Sequence, residues 1–278
     1  MHFIIQLSSK EHLIRGYTEA LKALDINYSL VSLFDEYNEF SGFCDINGPF
    51  YSASGISFLN ALKSDKELNF IDNNYQPIKD IGFRKRFERS YFYNKPENFD
   101  QRTAIAHGMP MLNKDAIFVD LSNNLEMTFE KDMFIKPSDD LKSFIGGILP
   151  AGQSIKDFVL NNSSYMKGWM NGTAIAASPK KIHSEYRFFV VDGNVTTGSR
   201  YFLNGNIDVS KDIPESVFRE SLKLAKMYKP DMAFTMDLAL MQDDSISIVE
   251  YNCINTSGHY YCDLIEFIQA LKPLIENK

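Results

Sequence analysis

Two stretches near the C-terminus, MAFTMDLAL and SISIVEYNCINTSGHY, bring Asp237, Glu250 and Asn252 within reach of one another. The first is an apolar run with one carboxylate set in it and reads as a strand. A short polar turn, Gln242 to Ser245, follows, and SISIVEYN then alternates like a second strand, so the pair is predicted to form a hairpin. Side chains two apart on a strand share a face, which puts Glu250 and Asn252 together and lets Asp237 meet them from the partner strand. Two carboxylates and an amide oxygen are hard ligands that suit magnesium better than zinc. A carboxylate in an apolar strand is costly unless paired or metal-bound, and that cost marks the cluster as a candidate metal site.

Cations lie upstream. Lys136 ends the apolar run DMFIKP, just before Pro137. An ammonium there either meets an anion, such as a nucleotide phosphate, or snorkels to water. Lys142, in DDLKSF, precedes Gly146-Gly147, where small residues would let backbone amides approach phosphate closely; the plainer reading is a solvated lysine. Arg187 lies in EYRFFVV on the same strand face as Glu185, and Arg200 lies in GSRY on the returning strand. A forked guanidinium suits phosphate or an acyl-phosphate. The alternatives are a structural Arg187–Glu185 pair and an exposed strand charge. His183, alone before this hairpin, reads as structural.

The elements that must position these groups follow from periodicity. HFIIQL, KEHLIRGYTEALKAL and INYSLVSLF read as strand, helix and strand, the opening of a parallel sheet. GPFYSASGISFLNALKS reads as a Gly-rich turn and a short helix. Residues 1 to about 75 therefore form a small α/β unit. GFRKRFERSYFYNK mixes basic and aromatic residues, either as an amphipathic surface helix or as a docking patch for an anionic substrate. MPMLNKDAIFVDL reads as a loop running into a short helix or strand. From residue 116 onward the pattern is mixed: DMFIKP a strand, SIKDFVLNN a helix, GTAIAAS a strand, and EYRFFVV with GNVTTGSRY a hairpin about Asp192-Gly193. PESVFRESLKLAKMYK is an amphipathic helix with Pro214 near its start, and DLIEFIQALKPLIEN is the last helix.

A carboxylate on one strand followed by Glu-x-Asn on the next resembles the metal-binding end of ATP-grasp enzymes. DMFIKPSDDLKSFIGG is similar to the strand and loop that carry their phosphate-binding lysines, and HSEYRFFVVDGNVTTGSRY to the hairpin after the adenine pocket. The order of the blocks matches, over roughly residues 130 to 265. The Lys-Pro strand, Lys-x-Phe, Glu-Tyr-Arg, Ser-x-Tyr and Glu-x-Asn resemble the clade characterised by two arginines and a lysine. The first slot is often arginine there; lysine is a point charge rather than a fork. The resemblance implies an α/β (α+β) ATP-grasp fold, with an N-terminal α/β pre-ATP-grasp region at 1–115 and a catalytic domain at 116–278. It implies Lys136, Lys142, Glu185 and Arg187 at the nucleotide, with adenine met by the backbone of a hinge at Ala177 to Lys181, Ala177 and Ser178 foremost. It implies Asn255 near the triphosphate or acceptor, and Arg187, Arg200 and Lys142 in catalysis. It also implies ATP and Mg2+, a carboxylate substrate, an amine-type acceptor (small molecule, peptide or modified nucleotide), and a ligase acting through an acyl-phosphate. An ATP-grasp phosphotransferase acting on a hydroxyl and a nucleotide-binding module without turnover are the other readings.

Composition fits these expectations. A chain of 278 residues, 44% hydrophobic, can bury a sizeable core in one or two domains. A net charge of −7 disfavours non-specific binding to a nucleic-acid backbone. Three cysteines, Cys44, Cys253 and Cys262, lack paired metal spacing and suggest reduced thiols in a cytoplasmic setting. The opening apolar stretch is too short for a signal peptide, and no apolar run approaches the ~20 residues of a membrane span.

Overall fold

The computed structural model describes residues 1–6, 11–34, 39–41, 50–53, 70–71, 77–78, 96–139, 143–162 and 172–276. β1 (His2–Gln6), α1 (Glu11–Ala23) and β2 (Asn27–Phe34) form the expected strand–helix–strand unit, with β1 parallel to β2 and His2 opposite Asn27. β3 (Glu39–Ser41), β4 (Phe50–Ala53), β5 (Phe70–Ile71) and β6 (Pro77–Ile78) complete a sheet of order β4-β1-β2-β3-β5-β6. Phe50–Ala53 was expected within a Gly-rich turn and is instead a strand parallel to β1, Phe50 opposite His2. Gly48 and Gly55 flank this strand rather than interrupt it, and the open edge of β1 supplies its partners. The helix expected after it, the basic–aromatic stretch, Lys142 and Cys44 lie outside the described residues.

A short 3-10 turn (Pro96–Phe99) leads into α2 (Gln101–Ala106), capped where Asp100 Oδ1 accepts from the Arg102 amide at 2.8 Å. β7 (Ile117–Asp120), β8 (Met133–Pro137), β9 (Gly147–Leu149), α3 (Ile155–Asn162) and β10 (Thr173–Ala177) follow. Their strands form an antiparallel sheet of order β7-β10-β8-β9. Its buried face, with Val119, Ile135, Leu149 and Ala174, packs on Ile155, Phe158 and Val159 of α3.

The last sheet carries most of the polar cluster. β11 (Ile182–Val191) and β12 (Asn194–Leu203) turn at Asp192-Gly193, whose φ values of 47° and 73° suit a hairpin turn with both central residues left-handed. β13 (Asn206–Ser210) returns through Asn204-Gly205, with φ of 48° and 87°. After α4 (Glu215–Met227), β14 (Ala233–Met241) and β15 (Ile246–Asn252) complete the antiparallel order β13-β12-β11-β14-β15, and α5 (Leu264–Glu276) closes the fold. β11 is buried on both faces because its side chains alternate. Phe188 and Val190 pack toward Val217 and Leu224 of α4, while Phe189 and Val191 pack toward Phe267 and Ile268 of α5. The second cluster also takes in Phe3, Ile5, Tyr17 and Leu21, so the N-terminal unit and α5 share one core. Met111 and Leu112 run beside β15, with the Leu112 amide on Ile248 O at 2.7 Å and the Ile248 amide on Pro110 O at 2.9 Å.

Candidate functional site

The β14–β15 register sets Asp237 opposite Glu250 and Thr235 opposite Asn252, with an irregularity just past Asp237. Asn252 Nδ2 donates to Glu250 Oε1 at 3.1 Å and approaches Asp237 Oδ2 at 3.5 Å. The three predicted metal residues are thus gathered as the hairpin implied. Asp237 and Asn252 are buried; Glu250 stands at the cleft, its side chain 30% exposed.

Two cations meet these acids. Arg187 stands directly opposite Asp237 across the β11–β14 pair and grips it with both prongs, Nε to Oδ1 at 2.8 Å and Nη2 to Oδ2 at 2.6 Å. Its Nη1 donates to Gly258 O at 3.3 Å. Burial works against the guanidinium charge, but Asp237 more than offsets it and holds Arg187 protonated. The alternative of a structural Arg187–Glu185 pair is not what forms: the hydroxyl of Tyr201 donates to Glu185 instead. Lys136 reaches from β8, in the other sheet, and its ammonium donates to Glu250. This pair spans the cleft between the two antiparallel sheets. Glu185 has its carboxyl pushed up to about 7, chiefly by burial and further by Asp237 and Glu250, against the hydrogen bond from Tyr201.

The cleft has a volume of about 380 Å³. Phe134, Lys136 and Ile148 line one side and Glu185, Tyr201 and Glu250 the other. Gly146 closes tightly on the lysine stem: a Cβ there would lie 2.7 Å from Lys136 Cβ and 3.3 Å from Ile135 O. Of the expected hinge, Ala177 is buried in β10 opposite Phe134 and Ser178 is exposed; Pro179 and Lys180, just beyond, reach the cleft wall. Asn255 is buried, its Oδ1 accepting from Cys253 Sγ at 3.4 Å.

Arg200 does not join the cluster. It faces the other side of the sheet, beside Tyr186, and binds Asp208 of β13, Nε to Oδ1 at 2.9 Å. Arg200→Ala is therefore expected to cost at most about 1 kcal/mol of stability. It should leave the affinity for a non-hydrolysable magnesium–ATP analogue unchanged by calorimetry; a tenfold loss would return Arg200 to the site. Tyr201 entered the sequence reading only as the tyrosine of Ser-x-Tyr, with no role given to it, and Tyr260 not at all, yet their rings lie 5.6 Å and 5.3 Å from the Arg187 guanidinium carbon. Tyr201 carried a usable signal, its place two residues after Ser199 in the returning strand; Tyr260 sits in a loop with no periodicity to read.

Among the described residues no group of three or more His, Cys, Asp or Glu side chains has the arrangement of a metal centre. The oxygens of Asp237, Glu250 and Asn252 nonetheless fit magnesium chemically. Carboxylates accept at about four lone-pair sites, so the Arg187 fork leaves Asp237 acceptor capacity, and hard oxygens are what that ion takes.

An N-terminal sheet followed by two antiparallel sheets with a polar cleft between them matches an ATP-grasp architecture. The chain belongs to the ATP-grasp domain family, specifically family 3 of the clade named for two arginines and a lysine, whose pattern matches residues 92–271. Among solved structures it is similar to D-cycloserine synthetase DcsG, with a TM-score of 0.59 at 12% identity, covering 99% of this chain and 100% of that one. It is also similar to D-alanyl-alanine synthetase A from Vibrio cholerae O1 biovar eltor str. N16961, with a TM-score of 0.53 at 10% identity over 100% and 98% of the two chains. The ATP-grasp ligase PsnB in complex with a minimal precursor gives a TM-score of 0.50 at 14% identity over 98% of each chain. At these identities the likeness establishes the fold. No curated protein sequence matches the chain significantly. No helix among the described residues is long and apolar enough to cross a membrane.

Proposed function

We propose that the chain is an ATP- and magnesium-dependent ligase that joins a carboxylate to an amine-type or thiol acceptor. The observation that carries this reading is the charge arrangement across the cleft, Lys136 of one sheet against Glu250 of the other with the Arg187–Asp237 fork behind. The names of the similar structures, synthetases and a ligase, support a bond-forming reaction. Lys136 and Arg187 bind phosphate oxygens, with Lys142 assigned beside them from the clade pattern. Asp237, Glu250 and Asn252 hold magnesium, which when bound neutralises phosphate charge. A substrate carboxylate oxygen forms a bond to the γ-phosphorus as the bridge to the β-phosphate breaks, giving an acyl-phosphate and ADP. The acceptor nitrogen then bonds to the acyl carbon, loses a proton, and displaces phosphate. The protein contributes orientation and fixed charge rather than a nucleophile.

The N-terminal region 1–115 supplies one wall of the substrate space and 116–278 the catalytic part. Buried thiols at Cys253 and Cys262 are consistent with a cytoplasmic, reducing location. The test is nucleotide product analysis with pooled carboxylates and amines, with hydroxylamine as trap. ADP with a hydroxamate supports the ligase. AMP as the main product sinks it, and ADP without hydroxamate favours phosphoryl transfer to a hydroxyl. Lys136→Ala should weaken nucleotide binding by roughly 1.5–3 kcal/mol, about ten- to a hundred-fold in affinity. Unchanged calorimetric affinity would remove Lys136 from the phosphate site.

A further inference from the structure

We propose that Tyr260 is a positioning residue that fixes the Arg187 guanidinium, an inference that rests on the phosphate-binding role given to Arg187 above. Arg187 has Nε and Nη2 on Asp237 and Nη1 on Gly258 O. Those bonds hold its edges. Its surroundings are the rings of Tyr201 and Tyr260, which stack on each other at 4.9 Å with planes 10° apart. Tyr201 is delivered by a regular strand. Tyr260 is delivered by the loop after β15 with a backbone φ of 49°, a left-handed conformation that bulky side chains seldom adopt.

The neighbouring contacts explain how that conformation is kept. The His259 imidazole Nδ1 lies 3.0 Å from the Tyr260 carbonyl oxygen. Its ring sits against Gly16 of α1, where an added Cβ would stand 2.8 Å from His259 Cε1, and Tyr17 meets it edge-on at 5.4 Å. Helix α1 therefore braces His259, His259 braces the Tyr260 backbone, and Tyr260 braces Arg187. Glycine at position 260 would carry the same φ without strain, so the aromatic ring is held there at a cost to the backbone. The ring also divides two spaces. Tyr201 lines the cleft that holds Lys136 and Glu250, while Tyr260 lines a second cleft of about 840 Å³ beside α1. The stacked pair is the wall between them, with Arg187 set against it.

The test compares Tyr260→Phe, Tyr260→Ala and Tyr260→Gly in the full chain. Melting temperature, calorimetric affinity for a non-hydrolysable magnesium–ATP analogue, and ADP formation with the substrate pool most active for the wild type are measured for each. Tyr260→Phe should stay close to wild type in all three, because the ring is what packs on Arg187. Tyr260→Ala and Tyr260→Gly should both lose ADP formation by roughly tenfold or more, as expected for a displaced charge-stabilising group. Yet Tyr260→Gly should melt above Tyr260→Ala, since it tolerates the left-handed backbone. Activity that instead follows melting temperature, glycine above alanine, makes the ring merely structural and overturns the proposal. So does wild-type activity in Tyr260→Ala. If the wild type neither binds the nucleotide analogue nor forms ADP, the ligase reading falls and this inference falls with it.

Discussion

Asp237→Ala is expected to lower folding stability by about 3–5 kcal/mol, the loss typical of breaking a buried ion pair from one side. Asp237 is completely buried and takes both prongs of Arg187, itself only 7% exposed. Removing the carboxylate strands a buried guanidinium beside the stacked rings of Tyr201 and Tyr260, where the Gly258 carbonyl, at 3.3 Å, still accepts from Nη1. The free energy is lost mainly through the charge left behind, so a second change should return part of it. Asp237→Leu combined with Arg187→Met, which removes both charges at similar volume, should be more stable than Asp237→Ala alone. Urea denaturation of the three proteins is the measurement. A loss below about 1 kcal/mol for Asp237→Ala would mean that the pair is no more than a solvated contact. The prediction separates two roles of one residue: Asp237 is proposed as a metal ligand, but its largest effect on the fold is to hold Arg187.

That double role was not legible in the sequence, and the reason is register. The hairpin of β14 and β15 could be read because its alternation is local and its turn is short. Lys136 could be read because an ammonium at the end of an apolar strand stands out. The partner of Arg187 could not. Glu185, two residues away, was the nearest carboxylate in sequence, whereas Asp237 is fifty residues on and comes opposite only because β14 pairs with the other edge of β11. Arg200 shows the same limit more sharply. Counting back from the turn, where Val191 pairs with Asn194, would place Arg200 opposite Glu185 and on the Arg187 face. The observed register breaks between Phe189, opposite Thr197, and Val190, opposite Val195, so one residue is extra in β12. One inserted residue flips every side chain beyond it to the other face. Arg200 lands beside Tyr186, and a second shift next to Glu185 brings the Tyr201 hydroxyl onto Glu185. The strands of the β11–β12 and β14–β15 hairpins were accessible from sequence; the two bulges in β12 that decide which of its residues enter the cleft were not.

Glu250→Gln should do the opposite of Asp237→Ala, leaving stability within about 1 kcal/mol of wild type while lowering magnesium-dependent turnover by roughly a hundredfold or more. Glu250 is partly exposed at the cleft, and its neighbours are polar: the Lys136 ammonium and the Asn252 amide. A glutamine has the same length, and its carbonyl oxygen can still accept from either neighbour, so little packing changes. What it removes is one negative charge from the cleft wall where magnesium and phosphate are proposed to bind. A divalent cation depends on that charge far more than the fold does. The loss should therefore shrink as magnesium is raised, and it should be accompanied by weaker manganese binding, read by paramagnetic resonance in the presence of a non-hydrolysable nucleotide. Lys136 makes the result diagnostic. If Glu250 served only as the counter-ion of Lys136, neutralising it would free the ammonium for phosphate, and nucleotide affinity would rise with no change in metal dependence. If Glu250 is a metal ligand, nucleotide and metal affinity should fall together, because each is bound through the other's charge. Wild-type turnover by Glu250→Gln at limiting magnesium would remove this carboxylate from the metal site.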